Sequence, residues 1–345
     1  MKGNHYSDNR RRRRKPIYVK KRRRRKRTST VIAVLLICLI LIVGFFILQE
    51  DSKDHIRQYE FASYNKKQYT GELFAEDLCV ASEDVSLDGV EADPGFHGEG
   101  LFNIADSQIK YGYKLFDKLY PASTTKVMTA YLALKYGNLD DVVTMSATST
   151  NFNWDESTCG LSAGDSLTLY DLICGLLLQS GNDCAAAIAE HISGSQEAFA
   201  ELMNTEAKQL GATGTHFVNP HGLHDENHYT TTYDLYLMFN AALKDQAFLD
   251  IISMNSYTAK VTSADGTSYT PTWQATNYYS AGEATPPDGI HVYGGKTGTT
   301  DQAGNCVILY EKNTAGEPYI SVIMGASDKP LLYEEMNELL DAGMK

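Results

Sequence analysis

The chain has 345 residues, 43% of them hydrophobic, which is enough for one large domain or two small ones and excludes disorder throughout. Its net charge of −12 hides a division. Residues 1–27 carry 15 Lys and Arg against the single acid Asp8, and the remaining 318 carry 16 basic and 42 acidic side chains, a net of −26. A basic head is joined to an acidic body.

The basic runs Arg10–Lys15 and Lys20–Arg27 precede 18 consecutive uncharged, mostly aliphatic or aromatic residues, Val31–Leu48. As a helix these would span ~27 Å, close to the hydrocarbon thickness of a bilayer. The alternative is a cleavable secretory signal, whose apolar region is usually shorter; no small-x-small site follows Leu48, where the chain reads Gln49-Glu50-Asp51. Positive charge beside a span stays on the cytoplasmic side. The expectation is a single-pass cell-membrane protein with a cytoplasmic N-terminus and an extracytoplasmic body. The same runs suit anionic lipid; next to a span, topology outranks nucleic acid, which is not expected as a partner. The chain then divides into a basic tail over 1–29, a transmembrane helix over 30–48, a polar stalk over 49–76 and a globular domain over 77–345.

In the globular domain, strand-like stretches are expected at Leu78–Ala81, Gly100–Ile104 and Ile109–Phe116. A helix follows, opened by Pro121 and closed near Gly137, with Val127, Met128, Tyr131 and Leu134 spaced for one buried face. Thr168 with Asp171 predicts a capping box and a helix to about Leu178. Further helices are expected from Asp183, over Gln196–Leu210 and over Tyr233–Lys244. Strands are expected at Tyr257–Thr262, Ser268–Thr272, Val292–Thr299, Asn305–Glu311 and Tyr319–Met324, with a last helix from Pro330. This order implies an α/β (α+β) fold with one mainly antiparallel sheet assembled from both ends of the domain and helices packed beside it. Outside the span lie five cysteines, Cys79, Cys159, Cys174, Cys184 and Cys306, with neither CxxC nor Cys/His metal spacing; they read as small buried side chains, at least one of them without a partner in the chain.

Three short clusters carry candidate chemistry. Ser123-Thr124-Thr125-Lys126 opens a helix, which puts a hydroxyl and an amine one turn apart on one face. A hydroxyl needs a base, and Lys126 supplies one if desolvation or another cation keeps its amine neutral. Ser180-Gly181-Asn182 falls in a break between helices, where glycine lets the backbone turn. Lys296-Thr297-Gly298-Thr299, preceded by Gly294-Gly295, sits on an expected strand whose glycines allow another chain to approach, and whose lysine can hold a carboxylate. Each alone reads equally as a solvated helix face, an interhelical loop or a glycine-rich turn. In this order, 57 and 116 residues apart, they form the Ser-x-x-Lys, Ser-x-Asn, Lys-Thr-Gly signature of penicillin-interacting serine enzymes.

From Leu78 to its end the chain resembles the D-alanyl-D-alanine carboxypeptidases, the low-molecular-mass penicillin-binding proteins. Pro121-Ala122, Met128-Thr129, Asn182-Asp183, Phe217-Val218-Asn219-Pro220-His221-Gly222-Leu223, His228-Tyr229-Thr230, Tyr233-Asp234-Leu235, Thr276-Asn277 and Ala303-Gly304-Asn305-Cys306 also match the family pattern. The resemblance implies a DD-peptidase/β-lactamase-like fold with an all-helical subdomain. It implies peptidoglycan stem peptides as substrates, β-lactam antibiotics as covalent inhibitors, and no metal or organic cofactor. Its catalytic residues would be Ser123, Lys126 and Ser180, and its substrate-binding residues Asn182, Lys296, Thr297, Gly298 and Thr299. Backbone N–H groups of Ser123 and Thr299 would form an oxyanion hole. His221 and His228 are expected to be structural. Two rivals share these motifs: a serine β-lactamase, for which the interval between the first two motifs offers Asp155, Glu156 and Asp165 but no Glu-x-x-x-Asn loop, and a non-catalytic wall-binding module.

Overall fold

The computed structural model describes Ala75 and residues 77–345. The basic tail, the expected span and the rest of the stalk lie outside the described residues. The strands are β1 (Gly98–Asn103), β2 (Gln108–Tyr113), β3 (Val142–Thr144), β4 (Ser166–Thr168), β5 (Ser256–Thr258), β6 (Val261–Thr262), β7 (Ser268–Tyr269), β8 (Thr272–Gln274), β9 (His291–Thr300), β10 (Gly304–Lys312) and β11 (Pro318–Ala326). The helices are α1 (Lys126–Tyr136), α2 (Leu169–Cys174), α3 (Asn182–Ser193), α4 (Gln196–Gln209), α5 (Thr232–Ala242), α6 (Gln246–Ile252), α7 (Tyr278–Ala281) and α8 (Lys329–Gly343).

The central sheet is antiparallel throughout, in the order β2-β1-β11-β10-β9, so strands from both ends of the domain meet at the β1–β11 pairing. Alternation divides its side chains between two cores. Phe102, Ile308, Ile320 and Val322 face the helical half, where they join Met128 of α1 and Tyr236 of α5. Leu101, Val307, Leu309 and Ile323 face α8, which lays down Leu332, Met336, Leu339 and Leu340. Full burial of each such side chain contributes ~1.5–3 kcal/mol, so α8 is a structural layer rather than an appendage. The α8 face also buries Glu99 and Glu311 completely; the hydroxyls beside them, Tyr111 and Ser321, are buried as well, and none of these groups makes a hydrogen bond of ordinary geometry. Burial, with Glu335 nearby, raises Glu99 to about 7; burial raises Glu311 to about 8.

The α+β fold agrees with the sequence reading, with local departures. Leu78–Ala81 is not a strand. The Cys79 N–H donates to the Tyr236 hydroxyl at 2.9 Å and its carbonyl accepts from the Tyr233 hydroxyl at 2.8 Å, so two phenols from α5 replace a neighbouring strand. The expected strands Tyr257–Thr262 and Ser268–Thr272 are each cut in two. The inner pieces β6 and β7 extend a four-stranded sheet with β3 and β4, and the outer pieces β5 and β8 pair alone. Pro271, which has no N–H to give a ladder, stands between β7 and β8. Helix α6 has no counterpart in the expected elements; Asp245 caps it by accepting from Ala247 N at 2.8 Å.

Candidate active site

Ser123 lies in a single 3-10 turn, Ala122–Thr125, that runs straight into α1. Thr124 ties its N–H and hydroxyl back to the Pro121 carbonyl, at 3.2 and 2.6 Å. Ala122 holds φ 47° in this turn, a left-handed conformation that a non-glycine residue keeps only when its surroundings impose it. One imposing neighbour is Gly222, at φ +89°, whose Cβ would stand 1.9 Å from the Ala122 carbonyl oxygen if it had one. The 219–223 loop is itself knitted by Asn219, which accepts from the N–H of His221 and Gly222 at 3.2 and 2.7 Å and donates to the Leu223 carbonyl at 2.9 Å.

Lys126 is fully buried, and its amine contacts three oxygens: Ser123 Oγ at 2.9 Å, Asn182 Oδ1 at 2.7 Å and the His221 carbonyl at 2.7 Å. Burial pulls its ammonium down to about 7, with the Asp183 charge opposing. The neutral amine has two N–H donors and one lone pair. Asn182 Oδ1 and the His221 carbonyl can only accept, so they take the two donors, and the lone pair is left for the one partner able to donate, the Ser123 hydroxyl.

The second cluster is placed by an irregular helix end. Helix α2 passes into a π-turn, Gly175–Gln179, where one continuous helix to Leu178 was expected, and Ser180 comes next at φ 63° and ψ 32° before α3 begins at Asn182. Wide turns of this kind recur at functional sites because they re-aim the side chains just beyond them. Here Ser180 reaches across 116 residues of sequence to accept from Lys296 Nζ at 3.0 Å. Lys296 is buried, and desolvation, then the Lys126 charge, holds it well below its ordinary value.

Lys296 belongs to β9, which occupies an edge of the central sheet. Gly298 is packed so closely on the serine turn that a Cβ would meet Ser123 N at 2.7 Å and Thr124 N at 2.9 Å. Alternation puts Lys296 and Gly298 on the side of the serine and turns Thr297 and Thr299 the other way. The Thr297 hydroxyl pairs with Thr276 Oγ1 at 2.7 Å, and that of Thr299 donates to Asn305 Oδ1 at 3.1 Å; both residues line a small cavity with Leu332 and Tyr333 of α8. Of the residues singled out in the sequence, Ser123, Lys126, Ser180, Asn182, Lys296 and Gly298 thus converge on one cleft. Thr297 contributes its carbonyl, which accepts from Lys296 Nζ at 2.7 Å, and the hydroxyls of Thr297 and Thr299 are already engaged.

Two contributors escaped side-chain reasoning. The His221 carbonyl is main chain, so only its place in a family stretch hinted at it. Asp183 accepts from Cys159 N and Cys184 N at 2.9 Å and from Leu161 N at 3.2 Å, which fastens the 159–161 segment to the start of α3. Its carboxylate lies within 4.8 Å of the Cys159 and Cys184 thiols. Those oxygens are committed to backbone donors, and burial raises both thiols, so the trio is suited to packing behind Ser180 rather than to holding a cation. All five described cysteines are buried and free. His228 donates from Nε2 to Thr125 Oγ1 at 2.8 Å while its Nδ1 accepts from Val218 N at 3.1 Å, and His221 Nδ1 accepts from Leu223 N at 3.2 Å. Burial lowers both rings to about 3, which fits neutral scaffold histidines.

The sequence profile of the D-alanyl-D-alanine carboxypeptidase family matches residues 104–328. The chain is 31% identical over 283 residues to the D-alanyl-D-alanine carboxypeptidase DacC of Escherichia coli, covering 79% of this chain and 66% of that protein. It is 29% identical over 237 residues to DacF of Bacillus subtilis, covering 68% and 58%. The chain therefore spans less than two thirds of the length of these curated relatives. Its fold is similar to the crystal structure of the Streptomyces K15 DD-transpeptidase, with a TM-score of 0.68 at 26% identity over 74% of this chain and 98% of that one. With the profile covering most of the domain that carries the serine, the amines and the edge strand, the chain belongs to the D-alanyl-D-alanine carboxypeptidase family.

Proposed function

We propose that the protein is a serine DD-carboxypeptidase that removes the terminal D-alanine from peptidoglycan stem pentapeptides through an acyl-enzyme. The observation that carries this is the Lys126 amine, buried, lowered to about 7 and bonded to two obligate acceptors and one hydroxyl. Ser123 attacks the carbonyl between the two D-alanines while Lys126 takes its proton. The developing oxyanion meets the backbone N–H groups of Ser123 and Thr299. Ser180, linked to Lys296, passes a proton to the departing D-alanine and is reprotonated by the one that Lys126 took from Ser123, which leaves the amine neutral again for the attack of water; Asn182 holds the peptide beside β9 as an added strand. Lys296 receives the terminal carboxylate, whose charge restores the ammonium that burial disfavours. Thr297 and Thr299 assist through main chain, or through hydroxyls released from Thr276 and Asn305. Water then frees the shortened stem.

β-Lactams acylate the same serine. The one class of serine β-lactamase that activates water with a glutamate carries it on a Glu-x-x-x-Asn loop, which the interval between the first two motifs lacks; of the acids there, Glu156 accepts from Asn153, and Asp165 accepts from Ser162 N and Tyr269 Oη. Mass spectrometry of a synthetic pentapeptide stem tests the proposal: loss of one alanine by the wild type and none by Ser123→Ala is expected, and an intact stem with the folded wild type overturns it.

Membrane anchoring belongs to the same proposal. Val31–Leu48, with 15 basic residues ahead of it, would hold the domain outside the cell on the 49–76 stalk. Among the described residues no helix is long and apolar enough to cross a membrane. Fractionation of the full chain against one lacking residues 30–48 checks this; full-length protein in the soluble fraction would refute it.

A further inference from the structure

The turn 153–156, whose ends are anchored to His221 and Asn182, bears the most exposed large apolar side chain among the described residues. Trp154 is 95% exposed; Val142, next in order, is 68% exposed. The indole is not on a loose loop. Glu156 closes the turn by accepting from Asn153 N at 2.7 Å and Asn153 Nδ2 at 3.2 Å, and its N–H returns to the Asn153 carbonyl at 3.1 Å. Both feet of the turn stand on the walls around Lys126. Phe152 packs edge-on against His221 with ring centroids 5.4 Å apart, and the Ser157 carbonyl accepts from Asn182 N at 2.8 Å. His221 and Asn182 are the two residues that accept from the Lys126 amine. A solvent-exposed indole thus stands on a closed turn anchored to His221 and Asn182, elements that meet Lys126 rather than Lys296.

We infer that Trp154 is a binding platform for the aminosugar ring that carries the stem peptide. This rests on the carboxypeptidase reading, which puts the leaving D-alanine and its carboxylate at Lys296 and sends the acyl portion out on the Lys126 side. Two scales agree. Trp154 is three residues from Ser157, so it lies within about 10 Å of the cleft wall, and the four residues between the scissile bond and the sugar span about 13–14 Å when extended. An indole open on both faces, with no surrounding rim, suits the flat C–H face of a pyranose better than it suits a thin peptide side chain, which gains from enclosure. Asp155, exposed beside it, adds an acceptor for ring hydroxyls or the acetamido N–H.

The test compares a disaccharide-pentapeptide with the same pentapeptide lacking the sugars. In wild type the disaccharide form should be preferred, as a ratio of kcat/KM. Trp154→Ala should lower that ratio about tenfold, through KM, and Trp154→Phe should restore part of it because an aromatic face remains. A ratio unaltered by Trp154→Ala overturns the inference. A second readout does not need turnover. The chain has two tryptophans, and Trp273 is buried with its Nε1 bonded to the Cys159 carbonyl at 3.2 Å, so the solvent-exposed emission belongs to Trp154. Titrating Ser123→Ala with the disaccharide-pentapeptide should quench and blue-shift that emission, and the sugar-free peptide should not. Equal responses to both ligands would transfer the contact to the peptide and sink the sugar assignment. If wild type released no D-alanine from either substrate, the carboxypeptidase reading would fall, and this titration would still decide the subsite.

Discussion

The two faces of the central sheet bury charge-bearing groups on opposite terms. On the cleft side Lys126 and Lys296 are fully enclosed, and every hydrogen-bonding direction of Lys126 is answered by an oxygen. On the α8 side Glu99 and Glu311 are enclosed just as completely and face only one buried hydroxyl each, Tyr111 and Ser321, without a hydrogen bond of ordinary geometry. Desolvation dominates all four shifts and favours the neutral form of each. The difference is what neutrality accomplishes. A neutral, oriented amine beside a hydroxyl is a base, whereas a neutral, unpaired carboxyl is only a stability cost. A perturbed pKa by itself therefore does not mark a site; the surrounding acceptors do.

The sharpest break of this comparison is at the cleft. Ser123→Ala should abolish both D-alanine release and penicillin labelling, and Lys126→Met should lower acylation by on the order of 10³-fold or more, since proton removal and a filled polar site are both lost. Stopped-flow acylation with a reporter β-lactam would measure it; near-normal labelling of either variant would place the chemistry elsewhere. Gly222→Ala comes next. A Cβ 1.9 Å from the Ala122 oxygen, on a backbone at φ +89°, cannot be absorbed by a side-chain rotation. A loss of ~3 kcal/mol or more in denaturant unfolding is expected, with residual folded protein acylating slowly.

The same clusters show how far the sequence could be read. Ser123, Lys126, Ser180, Asn182 and Lys296 were legible because their chemistry lies in residue type and order. The sheet was legible because β10 and β11 read as short, nearly continuous apolar runs, as strands covered on both faces do. The illegible features are those that depend on partners rather than pattern. Two phenols took the place of a strand at Cys79, and a π-turn replaced the end of a regular helix before Ser180. The period-two turn of Thr297 and Thr299 away from the serine was available in principle, since neighbours on a strand cannot both point inward; the motif encourages reading its residues as one cluster.

A milder test varies pH rather than sequence. Because Lys126 must be neutral to accept a proton and burial sets it near 7, kcat/KM should rise with pH along an acid limb of about that pKa, and fall again at higher pH as Lys296, held well below its ordinary value, loses the proton with which it receives the carboxylate. The acid limb should vanish from any residual rate in Lys126→Met. A pH-independent rate between about 5 and 8 would mean the amine is already neutral throughout or is not the base.

The smallest effect, and the one that probes the other face, is that of Glu311→Gln on stability. The folded carboxyl titrates at about 8 against 4.5 when exposed, so above 4.5 the unfolded chain gives up its proton first. The contribution of this group to stability is therefore fully present below about 4.5, falls as pH rises and is exhausted above about 8. The full shift would correspond to roughly 5 kcal/mol at 1.36 kcal/mol per unit; water penetration and relaxation around a buried ion reduce this, so about 2 kcal/mol is the realistic swing. Glutamine matches the protonated acid in shape and cannot ionise. The variant should be close to wild type at pH 5 and more stable than it at pH 9, by that amount in urea unfolding, while penicillin acylation is unaffected at either pH. A gap between the two proteins that stays constant from pH 5 to 9 would show that Glu311 is ionised in the folded protein, through the Ser321 hydroxyl or solvent, and the contrast between the two faces of the sheet would lose its electrostatic basis.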